Sequence, residues 1–186
     1  MLKIINYLMK ITISGTPGSG KTVIGKYLAK KLHFKYYGMG ELMRDFAEHH
    51  KLNLIELGEL LKKNKKLDKK FNEHIKKLNN KKNIIIDSRI GFLFIKKGIH
   101  LFLDADLNLR ARRIFKDKRK LENFKTVDEV KKEITKRLSL ERERFRKLYK
   151  VDFTNKKNYD IVIDTTGLNA KIVSKKVLDY LKKNDI

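Results

Sequence analysis

Eight consecutive residues, Gly15-Thr16-Pro17-Gly18-Ser19-Gly20-Lys21-Thr22, place glycines, a lysine and a hydroxyl where a phosphate chain can be gripped. Every fixed position of G-x-x-x-x-G-K-[ST] is filled. Glycines let successive backbone N–H groups curl around an anion, and a following helix adds the partial positive charge of its N-terminus. Lys21 then reaches the β- and γ-phosphates, and the Thr22 hydroxyl reaches Mg²⁺. The loop reads as a nucleoside triphosphate site formed by Gly15, Thr16, Pro17, Gly18, Ser19, Gly20, Lys21 and Thr22. The single proline of the chain sits inside it, where a rigid turn interrupts neither strand nor helix.

Elements on either side fit that chemistry. Lys10 to Ser14 reads as a short buried strand, and Val23, Ile24, Tyr27, Leu28 and Leu32 recur at helical spacing behind the loop. Phe34 to Tyr37 reads as a second strand. Helical stretches follow at Gly40 to His50, Leu54 to Lys63 and Asp68 to Leu78. Ile84-Ile85-Ile86-Asp87 is a continuous apolar run closing on a carboxylate, the pattern of a strand buried on both faces. Gly98 to Asp104 and Tyr159 to Asp164 read as further strands. Leu109 to Lys120, Val127 to Tyr149 and Ala170 to Lys183 read as helices. Alternating strands and helices predict an α/β fold: a five-stranded parallel sheet in the middle of three layers, with right-handed crossovers.

Length and composition narrow the class. At 186 residues the chain fits one domain, 1–186, large enough to bury a sheet without staples. It has no cysteine, which excludes disulfides, thiol catalysis and Cys-ligated zinc. No apolar run reaches the ~20 residues a membrane span needs. Segment 1–8 carries no cleavage site and is read as an extension before Met9-Lys10, so a cytoplasmic protein without a membrane partner is expected. The formal net charge of +24 invites a nucleic-acid reading, but the basic residues are scattered over the whole length. Specific nucleic-acid binding is therefore not expected, whereas non-specific sticking at low salt is. His49, His50 and His74 read as solvent-facing helix positions, not a metal site.

Taken in order, these pieces resemble the nucleoside monophosphate kinases of the P-loop fold, and within them the archaeal-type cytidylate kinase family. The resemblance runs over nearly the whole chain after Met9. Besides the phosphate loop it rests on Gly40-Glu41-Leu42-Met43-Arg44, Asp87-Ser88-Arg89, Arg110-Ala111-Arg112-Arg113-Ile114, the span Arg137 to Asp152, and Tyr159 to Thr165. It implies a helical insertion for the monophosphate at 38–80 and a basic helical lid at 115–150. The implied reaction is ATP + CMP → ADP + CDP, with dCMP a second acceptor, Mg²⁺ as cofactor and a monomeric enzyme. AMP or UMP as acceptor, and an RNA-stimulated NTPase, stay open as alternatives.

The resemblance also distributes roles. Gly40, Arg44, Asp68, Arg89 and Glu141 fall to the acceptor. Arg113 falls to ATP, while Lys21, Arg89, Arg137 and Arg144 form the catalytic set. Planar guanidinium groups suit this work because each takes two phosphate oxygens at once. Asp87, closing its strand beside the loop, is placed to accept from Thr22 or from Mg²⁺-bound water. Arg137, Glu141 and Arg144 share one helix face by their i, i+4, i+7 spacing, and a carboxylate there can accept from the cytosine N4 amino group. Plainer readings stand beside these: a solvated Arg44, an Asp87–Arg89 ion pair, and an exposed helix stitched by i,i+4 pairs. Three departures from the family pattern stand out. Gly38 replaces a serine, Asn72 an aspartate, and Asp117-Lys118-Arg119 an Arg-Glu-Gly stretch whose cation Lys116, Lys118 or Arg119 would replace.

Overall fold

Isoleucine-rich runs cannot face water on either side, and the chain stacks them in the middle. The computed structural model describes residues 9–117 and 124–184. Segment 1–8, expected as an extension, lies outside them, as do Lys118 and Arg119. Five parallel strands, β1 (Lys10–Gly15), β2 (Lys35–Gly38), β3 (Ile84–Asp87), β4 (Ile99–Asp104) and β5 (Ile161–Asp164), form one sheet in the order β2-β3-β1-β4-β5. Ile11 pairs in register with Ile85 and Ile99. β1 is thus central, and its C-terminal end opens where ligands of such sheets bind.

One face of the sheet is covered by α1 (Lys21–Leu32) and α8 (Ala170–Lys183). Ile24 and Leu28 of the first, and Val173, Val177 and Leu181 of the second, pack on Ile11, Ile13, Ile85, Leu101 and Leu103. The opposite face is met by α4 (Lys65–Lys77), the short α5 (Gly91–Phe94) and α7 (Val127–Tyr149). There Ile75 and Leu78 lie on Ile84 and Ile86, and Phe145 and Phe153 pack with Phe102. Each fully buried isoleucine contributes about 1.5–3 kcal/mol. Edge strand β5 alternates instead, with Ile161 and Ile163 inward and Val162 exposed.

The connection from β2 to β3 carries α2 (Met39–His49), α3 (Leu54–Lys63) and α4, with a small core of Ala47, Leu57, Leu61 and Phe71. After β4 come α6 (Leu107–Lys116) and α7, which pack together through Ala111, Ile114, Val130 and Ile134. No described helix is long and apolar enough to cross a membrane.

Candidate active site

The loop between β1 and α1 is shaped by close approach. Gly18 has φ +80°, and a Cβ there would lie 2.7 Å from the main-chain oxygen of Arg110, so α6 presses directly on the loop. Asn53, Asn64, Asp106, Thr126 and Asn169 cap α3, α4, α6, α7 and α8 with their side chains, but no side chain caps α1. Its first-turn amides face the loop, ready for an anion. Lys21 Nζ donates to the carbonyls of Gly15 (3.1 Å) and Thr16 (2.8 Å). Burial, then the neighbouring Arg89 charge, push the Lys21 pKa well below the ordinary lysine value of 10.5. Thr16 donates to Asp104 at 2.7 Å and Ser19 to the Thr16 carbonyl at 2.9 Å, bracing the loop from behind.

Thr22 donates to Asp87 Oδ2 at 3.0 Å, and Tyr36 donates to the same oxygen at 3.0 Å. Gly25 makes the second bond possible: a Cβ on that turn of α1 would sit 2.7 Å from Cε2 of the Tyr36 ring. Burial and the Asp87 charge raise the Tyr36 pKa, so the phenol keeps its proton and donates. A hydroxyl and a carboxylate at the head of the phosphate loop are the hard oxygen donors Mg²⁺ favours. Among the described residues no group of three or more His, Cys, Asp or Glu side chains could cage a metal. The pair therefore suits an ion held chiefly by phosphates and water.

Facing the loop, α7 presents a buried charge cluster. Arg89 donates from Nε to Glu141 Oε2 at 2.6 Å and from Nη1 to the Gly15 carbonyl at 2.7 Å. Arg137 donates to the other carboxylate oxygen, Oε1, at 3.1 Å. With Glu141 12% exposed, this is no solvated surface pair. Burial alone would raise the Glu141 pKa, but Arg89 and Arg137 outweigh it and hold it at about 2. Arg144 Nε lies 3.3 Å from Asp68 Oδ2, close enough to pair but not aligned as a hydrogen bond, with side chains 6% and 2% exposed. Its guanidinium stacks over the Phe145 ring at 4.5 Å. Asp68 Oδ1 accepts from the Tyr149 hydroxyl at 2.5 Å and from Asn72 Nδ2 at 3.0 Å.

One cleft therefore gathers Pro17, Gly18, Gly20, Lys21, Thr22, Gly40, Arg44, Asp68, Asp87, Arg89, Arg137, Glu141 and Arg144. The Arg44 guanidinium crosses Gly40, whose added Cβ would be 3.5 Å from Nη1. Gly15, Thr16 and Ser19 frame the loop without lining the cleft. Arg113 lies behind it, donating to the Thr165 hydroxyl and carbonyl, both at 2.9 Å, and more distantly to the Gly18 carbonyl at 3.5 Å. Arg89 pairs with Glu141, not with the adjacent Asp87. Sequence reading missed Tyr36 and Tyr149, since each meets its carboxylate from 51 or 81 residues away.

A parallel sheet carrying a complete phosphate loop at its central strand, opposite a basic cleft, defines a nucleotide-binding protein of the P-loop fold. The shikimate kinase of Acinetobacter baumannii has that fold too, with TM-score 0.61, 18% identity and 96% of each chain covered. Residues 10–167 match the Cytidylate kinase-like family, and the chain belongs to it. The cytidylate kinase of Sulfurisphaera tokodaii is 36% identical over 176 residues, 93% of this chain and 95% of that protein. An S-adenosylmethionine-dependent nucleotide dehydratase of Lacinutrix mariniflava is also 36% identical, over 178 residues. That match takes in 95% of this chain but spans only 36% of the longer protein.

Proposed function

We propose that the chain transfers the γ-phosphoryl group of ATP directly to CMP, with dCMP as a second acceptor, as a cytoplasmic monomer needing no membrane or specific nucleic acid. One observation carries this reading: the phosphate loop and the side chains of Arg44, Arg89, Arg137 and Arg144 line a single cleft. Two nucleotides meeting there bring together several negative charges, and guanidinium groups already gathered at the cleft offset them. The acceptor phosphate is already an oxyanion, so positioning and charge neutralisation supply most of the rate.

Lys21 and the loop amides grip the β- and γ-phosphates; the Lys21 bonds to Gly15 and Thr16 are exchanged for phosphate oxygens. Arg44, across Gly40, holds the acceptor phosphate. Arg89 and Arg137 stand ready around Glu141, and Arg144 beside Asp68, to take the moving group as the insertion 38–80 and the lid 115–150 close and exclude water. Arg113 supports the ATP side through its bonds to the loop and Thr165. Thr22 and, through water, Asp87 would hold Mg²⁺, which would supply further charge neutralisation. The deciding experiment follows ADP release with ATP, Mg²⁺ and each of CMP, dCMP, UMP, AMP and GMP. CMP and dCMP should show the highest kcat/KM. Preference for another monophosphate corrects the acceptor, and no turnover of any of them overturns the reading.

A further inference from the structure

Both carboxylates expected to meet the acceptor are already committed. Glu141 spends one oxygen on Arg89 and the other on Arg137. Asp68 spends Oδ1 on Tyr149 and Asn72, and its Oδ2 faces Arg144. Asn72 on α4 is different. Its Nδ2 lies 3.0 Å from the Asp68 carboxylate, 3.0 Å from the Asp68 carbonyl and 2.8 Å from the Tyr149 oxygen. A carboxylate and a carbonyl have no protons to give, so the nitrogen of the amide must face them. The orientation of the side chain is thereby fixed, and Oδ1 is left on the other side. Oδ1 accepts no hydrogen bond among the described residues. It is also absent from the buried atoms that lack a partner. Asn72 is 8% exposed and lines the cleft.

Resting on the kinase reading, we propose that the Asn72 carbonyl reads the exocyclic amino group of the acceptor base, and that Asp68 and Tyr149 lock the amide in that sense. A free amide could turn over and serve a 4-amino or a 4-oxo pyrimidine equally, because it offers oxygen on one side and nitrogen on the other. Here a flip would set Oδ1 against the Asp68 carboxylate and carbonyl, acceptor against acceptor, and would take the amide donor from both. Cytosine, with an N4 amino donor, is matched; uracil brings its O4 acceptor to an acceptor. The replacement of a carboxylate by an amide at Asn72 is thus not a loss of selectivity. Asp68 acts here as a positioning residue, not as the contact to the base.

The test compares kcat/KM for CMP, UMP and N4,N4-dimethyl-CMP, which lacks the amino hydrogens, in the wild-type protein and in Asn72→Ala and Tyr149→Phe. Wild type should favour CMP over both others by about tenfold or more, within the span one base contact commands. Asn72→Ala should shrink the CMP/UMP ratio about tenfold by losing CMP turnover, with the KM for ATP unchanged. Tyr149→Phe frees the amide on one side and should narrow the ratio a few-fold, a change that damaged folding would not select. Equal losses for CMP and UMP, or a wild type indifferent to the dimethyl analogue, overturn the inference while leaving the kinase reading intact. Should Asn72→Ala not fold, the dimethyl analogue and Tyr149→Phe still decide. A wild type that turns over no monophosphate removes both.

Discussion

Lys21 is buried, its ammonium bonded among the described residues to two carbonyls, and crowded by Arg89. Such a cation destabilises the empty protein, and in the proposed mechanism bound phosphates supply its partners. Lys21→Ala should lower kcat by ~100- to 1,000-fold or more while leaving the empty protein at least as stable, checked by steady-state ADP release and denaturant unfolding. Near-normal turnover would remove Lys21 from the mechanism. The pH dependence has a definite sign. With its folded pKa below 10.5, Lys21 holds its proton less well folded than unfolded, so the unfolded chain binds more protons between those two values. Stability of the wild type relative to Lys21→Met should rise with pH in that window, and a flat difference would contradict the burial. Glu141 runs the other way. Its pKa, about 2, lies below the ordinary 4.5, so its contribution is present above 4.5 and drains away as pH falls toward 2. Glu141→Gln leaves Arg89 and Arg137 facing a neutral amide and should cost about 3 kcal/mol at neutral pH, read from denaturant midpoints. Its deficit relative to wild type should shrink across that acidic interval.

Helix α1 does more than follow the loop: at Gly25 it leaves room for the Tyr36 ring that reaches Asp87. Gly25→Ala should cost about 1–3 kcal/mol through overpacking. It should also raise the Mg²⁺ concentration needed for half-maximal activity, since the displaced ring no longer steadies Asp87. Tyr36→Phe, which removes the bond without crowding, should cost about 1 kcal/mol. A Gly25→Ala protein as stable as wild type would show that the ring gives way freely. Strands and helices were legible because periodicity and breakers are local. Helix α3 matches its expected span Leu54 to Lys63, bounded by the Asn53 capping box and Asn64. Helix α4 begins at Lys65, ahead of the expected Asp68, because Asn64 closes one helix and caps the next through the Leu67 amide. β5 begins at Ile161 rather than Tyr159, whose ring packs on Phe102 while its hydroxyl donates to the Phe153 carbonyl. In the cleft, the phosphate loop was legible because its chemistry is contiguous. The pairing of Arg89 with Glu141 and the bonds of Tyr149 to Asp68 and Asn72 were not, since each joins elements by tertiary packing alone.

Across the whole molecule, 46 lysines and arginines face 22 acidic residues, yet the charges that line the cleft are a minority, buried or half-buried. The two populations respond differently to salt. Scattered surface cations attract any polyanion and raise the encounter rate of nucleotides, an effect screened within about 10 Å at 0.1 M and about 3 Å at 1 M ionic strength. Arg89 at 14% side-chain exposure, Arg144 at 6% and Glu141 at 12% are shielded from that screening. Raising salt from about 0.05 to 0.5 M should therefore lower kcat/KM for CMP several-fold through KM, with kcat nearly constant. Added RNA should inhibit at the low end by occupying the basic surface, and the inhibition should vanish at the high end. A kcat that falls in step with KM would place the working charges at the surface instead of in the cleft. RNA that accelerates ATP hydrolysis would assign the positive surface a role in the reaction itself and would favour an RNA-stimulated NTPase over a monophosphate kinase.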